Sequence, residues 1–216
     1  MFNSDAKQDE FVANIFNFKK EGFYLDIGSN HAVVANNTCF FDKLGWEGIC
    51  IEVDSTFNST YTHAGRTCTF INADATILDW KSVIESNNLD IKYSKNIDYL
   101  SLDIDQMSTN VLLKLPMNEY KFKVITIEHD FYIYGEQYKS EQKKYLSEMG
   151  YLLLCENVCV EQPGLFYGHP WNVNPLPFED WWIHPEFFSD ETIERLSCTN
   201  THPSQIISKF LQQREG

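Results

Sequence analysis

The chain has 216 residues, a net charge of −14 and a hydrophobic content of 43%. This length and apolar content predict a globular protein in which residues 1–216 form one domain. The negative charge disfavours nucleic acid as a partner, because it repels phosphate. A membrane partner is not expected either, since no apolar run approaches the roughly 20 residues that span a bilayer.

The amino terminus and the cysteines bear on the compartment. MFNSDAKQDEF is polar and acidic, unlike a secretory signal. Several of the six cysteines lie in apolar, strand-like runs, where a thiol behaves as a small hydrophobe. Reduced thiols and a cytoplasmic location are therefore predicted.

Short apolar runs alternate with helix-like segments over the first 160 residues. The predicted strands are GFYLDIG (22–28), GICIEVD (48–54), TCTFINAD (67–74), IDYLSLDID (97–105), FKVITIEHD (122–130) and YLLLCENV (151–158). The predicted helical segments between them are 35–45, 54–65, 75–88, 108–116 and 139–150. This alternation predicts an α/β fold with a mostly parallel sheet and helices on both faces.

The pattern changes after residue 160. Five of the seven prolines and three of the five tryptophans fall within 162–188, which has no clear periodicity. A long ordered loop over 160–190 is predicted, and such loops are often substrate-binding walls. Its aromatic residues offer faces for a sugar ring, although covering the core is favoured for Trp181 and Trp182; they are Phe166, Tyr167, Trp171, Trp181 and Trp182. Residues 191–196 and 204–214 are predicted to be closing helices.

Almost every predicted strand ends in a carboxylate, including each of the first five. These carboxylates are Asp26, Glu52 and Asp54, Asp74, Asp103 and Asp105, and Glu128 and Asp130. In open α/β sheets ligands bind beyond the carboxyl ends of the strands. A single such acid is most often a helix N-cap, but five consecutive strand ends predict an acidic rim around one crevice.

The loop after the first strand, DIGSN, carries one glycine, Gly28, which permits a tight turn. A dinucleotide site has three glycines that admit a pyrophosphate, whereas Glu52 is placed like the acid that binds ribose hydroxyls. Few glycines and many acids suit an uncharged ribose and a cationic head group, as in S-adenosylmethionine.

The order of these motifs resembles class I S-adenosylmethionine-dependent methyltransferases, specifically the FkbM-like family. The residues that carry the likeness are QDEF (8–11), GFYLDIGSN (22–30), NNT (36–38), GWEGICIEVD (45–54), NAD (72–74), YLSLDID (99–105), VITIEHD (124–130) and FEDWW (178–182). The resemblance implies a Rossmann-like methyltransferase sandwich that binds S-adenosylmethionine.

The resemblance also implies roles for individual residues. The methionine end of the cofactor would be lined by Asp26, Gly28, Ser29 and Asn30. Glu52 would bind the ribose, Asp74 and Ala75 the adenine, and Asp103 would lie beside the reacting methyl. The chain departs from the family pattern at His31-Ala32, where small residues usually follow the asparagine, and at Gln106, where glycine is usual.

Methylation of a hydroxyl needs a group that removes its proton. The candidates are Asp103, Asp105, Glu128 and His129, and only the histidine has an ordinary pKa near neutrality, at roughly 6.5. His129 is equally compatible with a buried histidine bonded to the sheet edge. Asp103, Asp105 and Glu128, with Asp130 nearby, could instead hold Mg²⁺ or Mn²⁺, or act as caps or direct ligands of sugar hydroxyls.

The sequence therefore predicts an S-adenosylmethionine-dependent O-methyltransferase. The family resemblance implies a carbohydrate acceptor, either free, nucleotide-linked or at a glycan terminus. Two alternatives remain at this point: an O-methyltransferase of a small hydroxylated or phenolic metabolite, and a catalytically silent binding module with the same fold.

Overall fold

A computed structural model of the chain describes residues 1–87, 95–160 and 176–212. Eight strands lie in these ranges: β1 Phe23–Ile27, β2 Glu47–Glu52, β3 Thr69–Asn72, β4 Asn96–Leu102, β5 Lys121–Glu128, β6 Leu152–Val160, β7 Leu176–Ile183 and β8 Cys198–Thr199. They form one sheet in the order β3-β2-β1-β4-β5-β7-β6-β8.

Eight α-helices lie in the same described ranges. They are α1 Gln8–Ile15, α2 Asn58–Ala64, α3 Trp80–Ser86, α4 Ser108–Leu112, α5 Phe131–Tyr134, α6 Glu136–Glu148, α7 Asp190–Leu196 and α8 Pro203–Leu211. The sequence predicted α6 well, including its end before Gly150, which has a φ of 85°. The segment 35–45, predicted to be helical, contains a 3₁₀ helix at Cys39–Leu44.

The first five strands are parallel to one another, with pairs β1–β2, β1–β4, β2–β3 and β4–β5. Their carboxyl ends therefore meet at one edge of the sheet. Strand β7 runs antiparallel between β5 and β6. The mostly parallel sheet confirms the predicted α/β fold class.

Two apolar clusters, one on each face of the sheet, form the core. Alternate residues of β1 supply both, since Leu25 belongs to one cluster and Tyr24 to the other. The first cluster includes Leu146 of α6, and the second includes Phe11 of α1 and Ile206 of α8. Burial on both faces explains why the parallel strands read as continuous apolar runs.

The predicted loop over 160–190 is wrong for its second half. Residues 161–175 lie outside the described residues, so Phe166, Tyr167 and Trp171 do as well. Leu176–Ile183 forms strand β7, in which Trp181 and Trp182 are buried in the core. Because β7 is buried on both faces, it lacks the alternation that marks a half-buried strand.

Pro177 also made this segment read as a loop. Only residues from Glu179 onward pair with β5, so the proline lies beyond that pairing and its missing N–H leaves no β5 carbonyl without a donor. Within the described ranges, no helix combines the length and the apolar character that crossing a membrane requires.

Candidate functional site

A cavity of about 440 Å³ opens at the carboxyl ends of β1 to β4. Six carboxyl residues line it: Asp5, Asp26, Glu52, Asp74, Asp103 and Asp105. Among the described residues that line it, none is a lysine, arginine or histidine. The structure therefore brings most of the predicted acidic rim around one space, which favours a ligand with positive charge or with many hydrogen-bond donors.

Gly28 sits where two loops touch. Its φ is 83°, and a Cβ at this position would lie 1.8 Å from the carbonyl oxygen of Asp103. The N–H groups of Gly28 and Ser29 both donate to the carbonyl of Ile51, at 2.9 and 3.1 Å. Only a glycine lets the loop after β1 cross this close to the end of β4.

Asp26 is buried beneath this loop. The hydroxyl of Thr38 donates to its carboxylate at 2.7 Å. Burial raises the pKa of Asp26 to about 6, against the opposing effects of Thr38 and the positive charge of Arg66. At neutral pH the carboxylate is therefore mostly ionised, and it faces the cavity that Gly28 borders.

Arg66 stabilises the loop after β1, a role that the sequence analysis did not predict. Its side chain is only 3% exposed and forms a 2.6 Å ion pair with Asp42. Its guanidinium also donates to the carbonyl of Ala32 at 2.7 Å, to Asn36 at 3.1 Å and to Thr38 at 3.2 Å. This one side chain fastens the segment from Ala32 to Thr38 that closes over Asp26.

Glu52 at the end of β2 supports the same loop. Its carboxylate accepts N–H groups from Asn30 at 2.9 Å and from Asp54 at 2.8 Å, one on each oxygen. Asn30 has a φ of 50°, which turns the chain away after Ser29. A carboxylate offers about four acceptor positions, so Glu52 can still accept two hydroxyls from the cavity.

Two of the carboxylates at the strand ends act as N-caps. Asp54 and Asp74 cap 3₁₀ turns, each accepting an N–H two residues on, from Thr56 at 2.9 Å and Thr76 at 2.8 Å. The N–H of Thr56 lowers the pKa of Asp54, and the hydroxyl of Thr76, together with its N–H, lowers the pKa of Asp74. The N-cap explanation thus accounts for these two, although Asp74 also lines the cavity beside Ala75.

His31, the residue that departs from the family pattern, shapes its own loop. Its Nδ1 accepts the N–H groups of Val33 and Val34, both at 3.1 Å. Its ring packs edge-on against Phe57, with 6.4 Å between centroids. The histidine side chain therefore stabilises the turn that follows it, and it does not line the cavity.

Asp103 and Glu128 meet beyond β4 and β5. The side chain of Glu128 interacts with that of Asp103, and this interaction lowers the pKa of Asp103. Burial, together with the nearby charges of Asp105, Asp5 and Glu52, raises the pKa of Asp103. At this point the structure joins two of the residues predicted to be catalytic.

A second grouping of carboxylates differs from the predicted metal set. Asp105, Glu128 and Asp130 place one oxygen each within 4.8 Å of one another. Asp103 is not in this group, and Asp130 takes its place. Gln106, the other departure from the family pattern, accepts a 3.0 Å hydrogen bond from the Tyr134 hydroxyl and so links the turn after β4 to α5.

His129 lies apart from these carboxylates. Its Nδ1 accepts the N–H of Phe131 at 3.2 Å, and its Nε2 is 3.7 Å from an oxygen of Asp180. Burial, with the charge of Lys139, lowers the pKa of His129 to about 3. The ring is neutral at physiological pH, and this placement matches the alternative of a buried histidine at the sheet edge.

Glu179 is a buried carboxyl that the sequence analysis did not single out. It is the register partner of Glu128 and accepts the indole N–H of Trp181 at 2.6 Å. Burial raises the pKa of Glu179 to about 8, against hydrogen bonds from Trp181 and Gln8. Only the pairing of β7 with β5 brings Glu179 beside Glu128, and the sequence predicted a loop for this segment.

Comparison with known proteins defines the fold. A proposed O-methyltransferase from Klebsiella pneumoniae superposes with a TM-score of 0.55 at 12% identity, over 84% of this chain and 81% of that one. The chain has a methyltransferase fold. A proposed RNA methyltransferase from Pyrococcus horikoshii gives a TM-score of 0.50 at 14% identity, over 83% and 82% of the two chains.

The precorrin-6y C5,15-methyltransferase from Geobacter metallireducens also gives a TM-score of 0.50, at 12% identity, over 82% of this chain and 86% of its own. No family model and no curated protein matches the sequence, so the FkbM-like subfamily stays a prediction. The similarity to solved methyltransferases confirms the predicted Rossmann-like architecture and does not define an acceptor.

Proposed function

We propose that the chain is an S-adenosylmethionine-dependent O-methyltransferase that acts on a hydroxyl of a carbohydrate. The observation that carries the proposal is the cavity itself. It opens at the carboxyl ends of β1 to β4, and carboxylates line it. Gly28, which lets the loop after β1 cross close to the end of β4, borders it. The methyltransferase fold supports the same conclusion.

The lining suits the parts of S-adenosylmethionine. Glu52 keeps acceptor positions for a ribose diol, and the ionised carboxylate of Asp26 places negative charge beside the cavity, where it would attract a sulfonium or an ammonium group. Ala75 is small and buried at the far end, beside Asp74, where an adenine ring would need a flat apolar contact. We assign no lining residue to the cofactor carboxylate.

The pair formed by Asp103 and Glu128 fits the chemistry of methyl transfer. In the proposed transfer the acceptor oxygen would form a bond to the methyl carbon while the carbon–sulfur bond breaks, and the electrons of that bond would leave sulfur neutral in S-adenosylhomocysteine. The hydroxyl proton passes to whichever member of the pair is ionised. A carboxylate with a raised pKa is the better base for this transfer.

Divalent metal assistance is a separable part of the proposal. Asp105, Glu128 and Asp130 supply oxygen donors within 4.8 Å of one another, which is the donor type that Mg²⁺ and Mn²⁺ prefer. Such an ion would lower the pKa of a coordinated hydroxyl. The protein side chains would hold it at the end of β5, next to the proposed base.

The test combines binding and transfer. Calorimetry with S-adenosylmethionine and S-adenosylhomocysteine should show saturable binding; its absence would leave the silent-module alternative. Labelled methyl transfer is then measured to neutral oligosaccharides, nucleotide sugars and small phenols, each with EDTA and with Mg²⁺ or Mn²⁺ restored. Transfer to phenols alone contradicts the carbohydrate assignment, and full activity in EDTA contradicts the metal.

A further inference from the structure

The amino-terminal segment, residues 1–7, reaches the cavity from outside the set of strand-end loops. Asp5 lines the cavity together with Asp103 and Asp105, and its side chain is exposed. Asp5 and Asp103 thus border the same space, and the charge of Asp5 helps to raise the pKa of Asp103. No motif at the strand ends predicts this residue.

Hydrogen bonds to the loop after β1 and to Asp9 hold this segment in place. The side-chain amide of Asn3 donates to the carbonyl of Val33, in the loop after β1, at 2.8 Å. The buried carboxylate of Asp9 accepts the N–H of Asn3 at 2.5 Å and the hydroxyl of Ser4 at 2.6 Å. The two residues before Asp5 in this segment, Asn3 and Ser4, therefore have fixed partners.

Helix α1 anchors this arrangement to the sheet. Phe11 stacks on Trp181 of β7 with 4.2 Å between ring centroids, and both side chains are fully buried. Ala6 donates its N–H to the Gln8 side chain at 3.0 Å, which continues the ordered path into the helix. Because the helix cannot slide on the sheet without breaking this packing, Asp5 is presented to the cavity by a rigid element.

We propose that Asp5 is a binding residue for the positively charged sulfonium end of the methyl donor, held in place by the Asn3 and Asp9 contacts. The proposal rests on the proposed cofactor. A carboxylate beside Asp103 attracts a sulfonium and gains little from the uncharged thioether of the product. Asp5 thereby favours S-adenosylmethionine over S-adenosylhomocysteine, which assists product release after transfer.

Calorimetry on the full chain tests this with two ligands and three variants. Asp5→Asn should weaken S-adenosylmethionine binding about threefold to tenfold and change S-adenosylhomocysteine binding less than twofold. Asn3→Ala, which releases the segment from Val33, should reproduce part of the same selective loss. Asp190→Asn, an exposed carboxylate on α7, is the matched control and should leave both affinities unchanged.

Each outcome decides the matter. Equal weakening of both ligands by Asp5→Asn would show a structural role, and no change in either would remove Asp5 from the site. Either result overturns the inference and leaves the proposed function intact. If the unmodified chain binds neither ligand, the proposed function fails, and the inference fails with it.

Discussion

Replacing Gly28 with alanine tests two constraints on this position in the loop after β1: the backbone conformation and the close packing against Asp103. The first is the φ of 83°, which costs a residue with a Cβ about 1–2 kcal/mol. The second is contact, since the new Cβ would lie 1.8 Å from the carbonyl oxygen of Asp103 and 2.6 Å from Ile104. The backbone carbonyl cannot rotate aside as a side chain would, so the two loops must part.

Gly65 provides the matched control. Its φ is 63°, and a Cβ there meets no atom within 4 Å, so Gly65→Ala carries the first cost without the second. We expect Gly65→Ala to lower the free energy of unfolding by about 1 kcal/mol and Gly28→Ala by about 3 kcal/mol or more. In a chain of this size that corresponds to roughly 2–4 °C and 6–12 °C in the melting temperature.

Urea and thermal unfolding measure the stabilities, and calorimetry with S-adenosylmethionine measures the site. Gly28→Ala should lose detectable binding at a temperature where it is still folded, whereas Gly65→Ala should bind normally. If Gly28→Ala matched Gly65→Ala in both stability and affinity, the close crossing of the β1 and β4 loops would not define the cavity, and the reasoning would be refuted.

Three further predictions address the buried charges. Glu52→Ala should weaken S-adenosylmethionine binding about tenfold or more by calorimetry, while Asp54→Ala, which removes only a cap, should change it less than about twofold; equal effects would contradict the ribose assignment. Arg66→Met should cost about 3–5 kcal/mol in urea unfolding, because Asp42 and the loop carbonyls lose their buried donor, and Arg66→Lys should restore only part of it. Glu179 holds its proton in the folded state up to a pKa of about 8, above its ordinary 4.5, so stability should fall as the pH rises from 4.5 to 8, by at most about 4–5 kcal/mol. Glu179→Gln should abolish that part of the fall and Glu141→Gln, an exposed control on α6, should not; identical pH profiles for unmodified protein and Glu179→Gln would show that the carboxyl is not buried as described.

The first five strands and the edge of the sheet that carries the cavity were predictable from the sequence. Most of these strands are continuous apolar runs, each is followed or closed by a carboxylate, and parallel strands place such ends together. The same logic identified Gly28, Glu52 and Asp103, all of which line the cavity. Local patterns suffice here because strand, turn and acid are adjacent in the chain.

What the sequence left open depends on contacts between distant segments. A strand-end acid can cap a turn or point inward, and only the structure separates Asp54, which caps a turn, from Glu52, which tethers the loop and lines the cavity. His129 and Glu128 are neighbours in the chain, yet one faces Asp180 and Lys139 and the other Asp103, because side chains alternate across a strand.

Only the tertiary structure determined which residues from distant segments lie near the acidic strand ends. Strand β7 reads as a loop until β5 and β6 pair with it on both sides, and this pairing brings Glu179 to Glu128. Asp5, which lines the cavity, and Arg66, which holds the loop after β1, come from segments without a motif and are positioned by tertiary contacts. The sequence by itself determined the fold class and the acidic strand ends, since these follow from local apolar patterns. The long-range hydrogen bonds and packing that select which carboxylates face the cavity exist only in the folded chain.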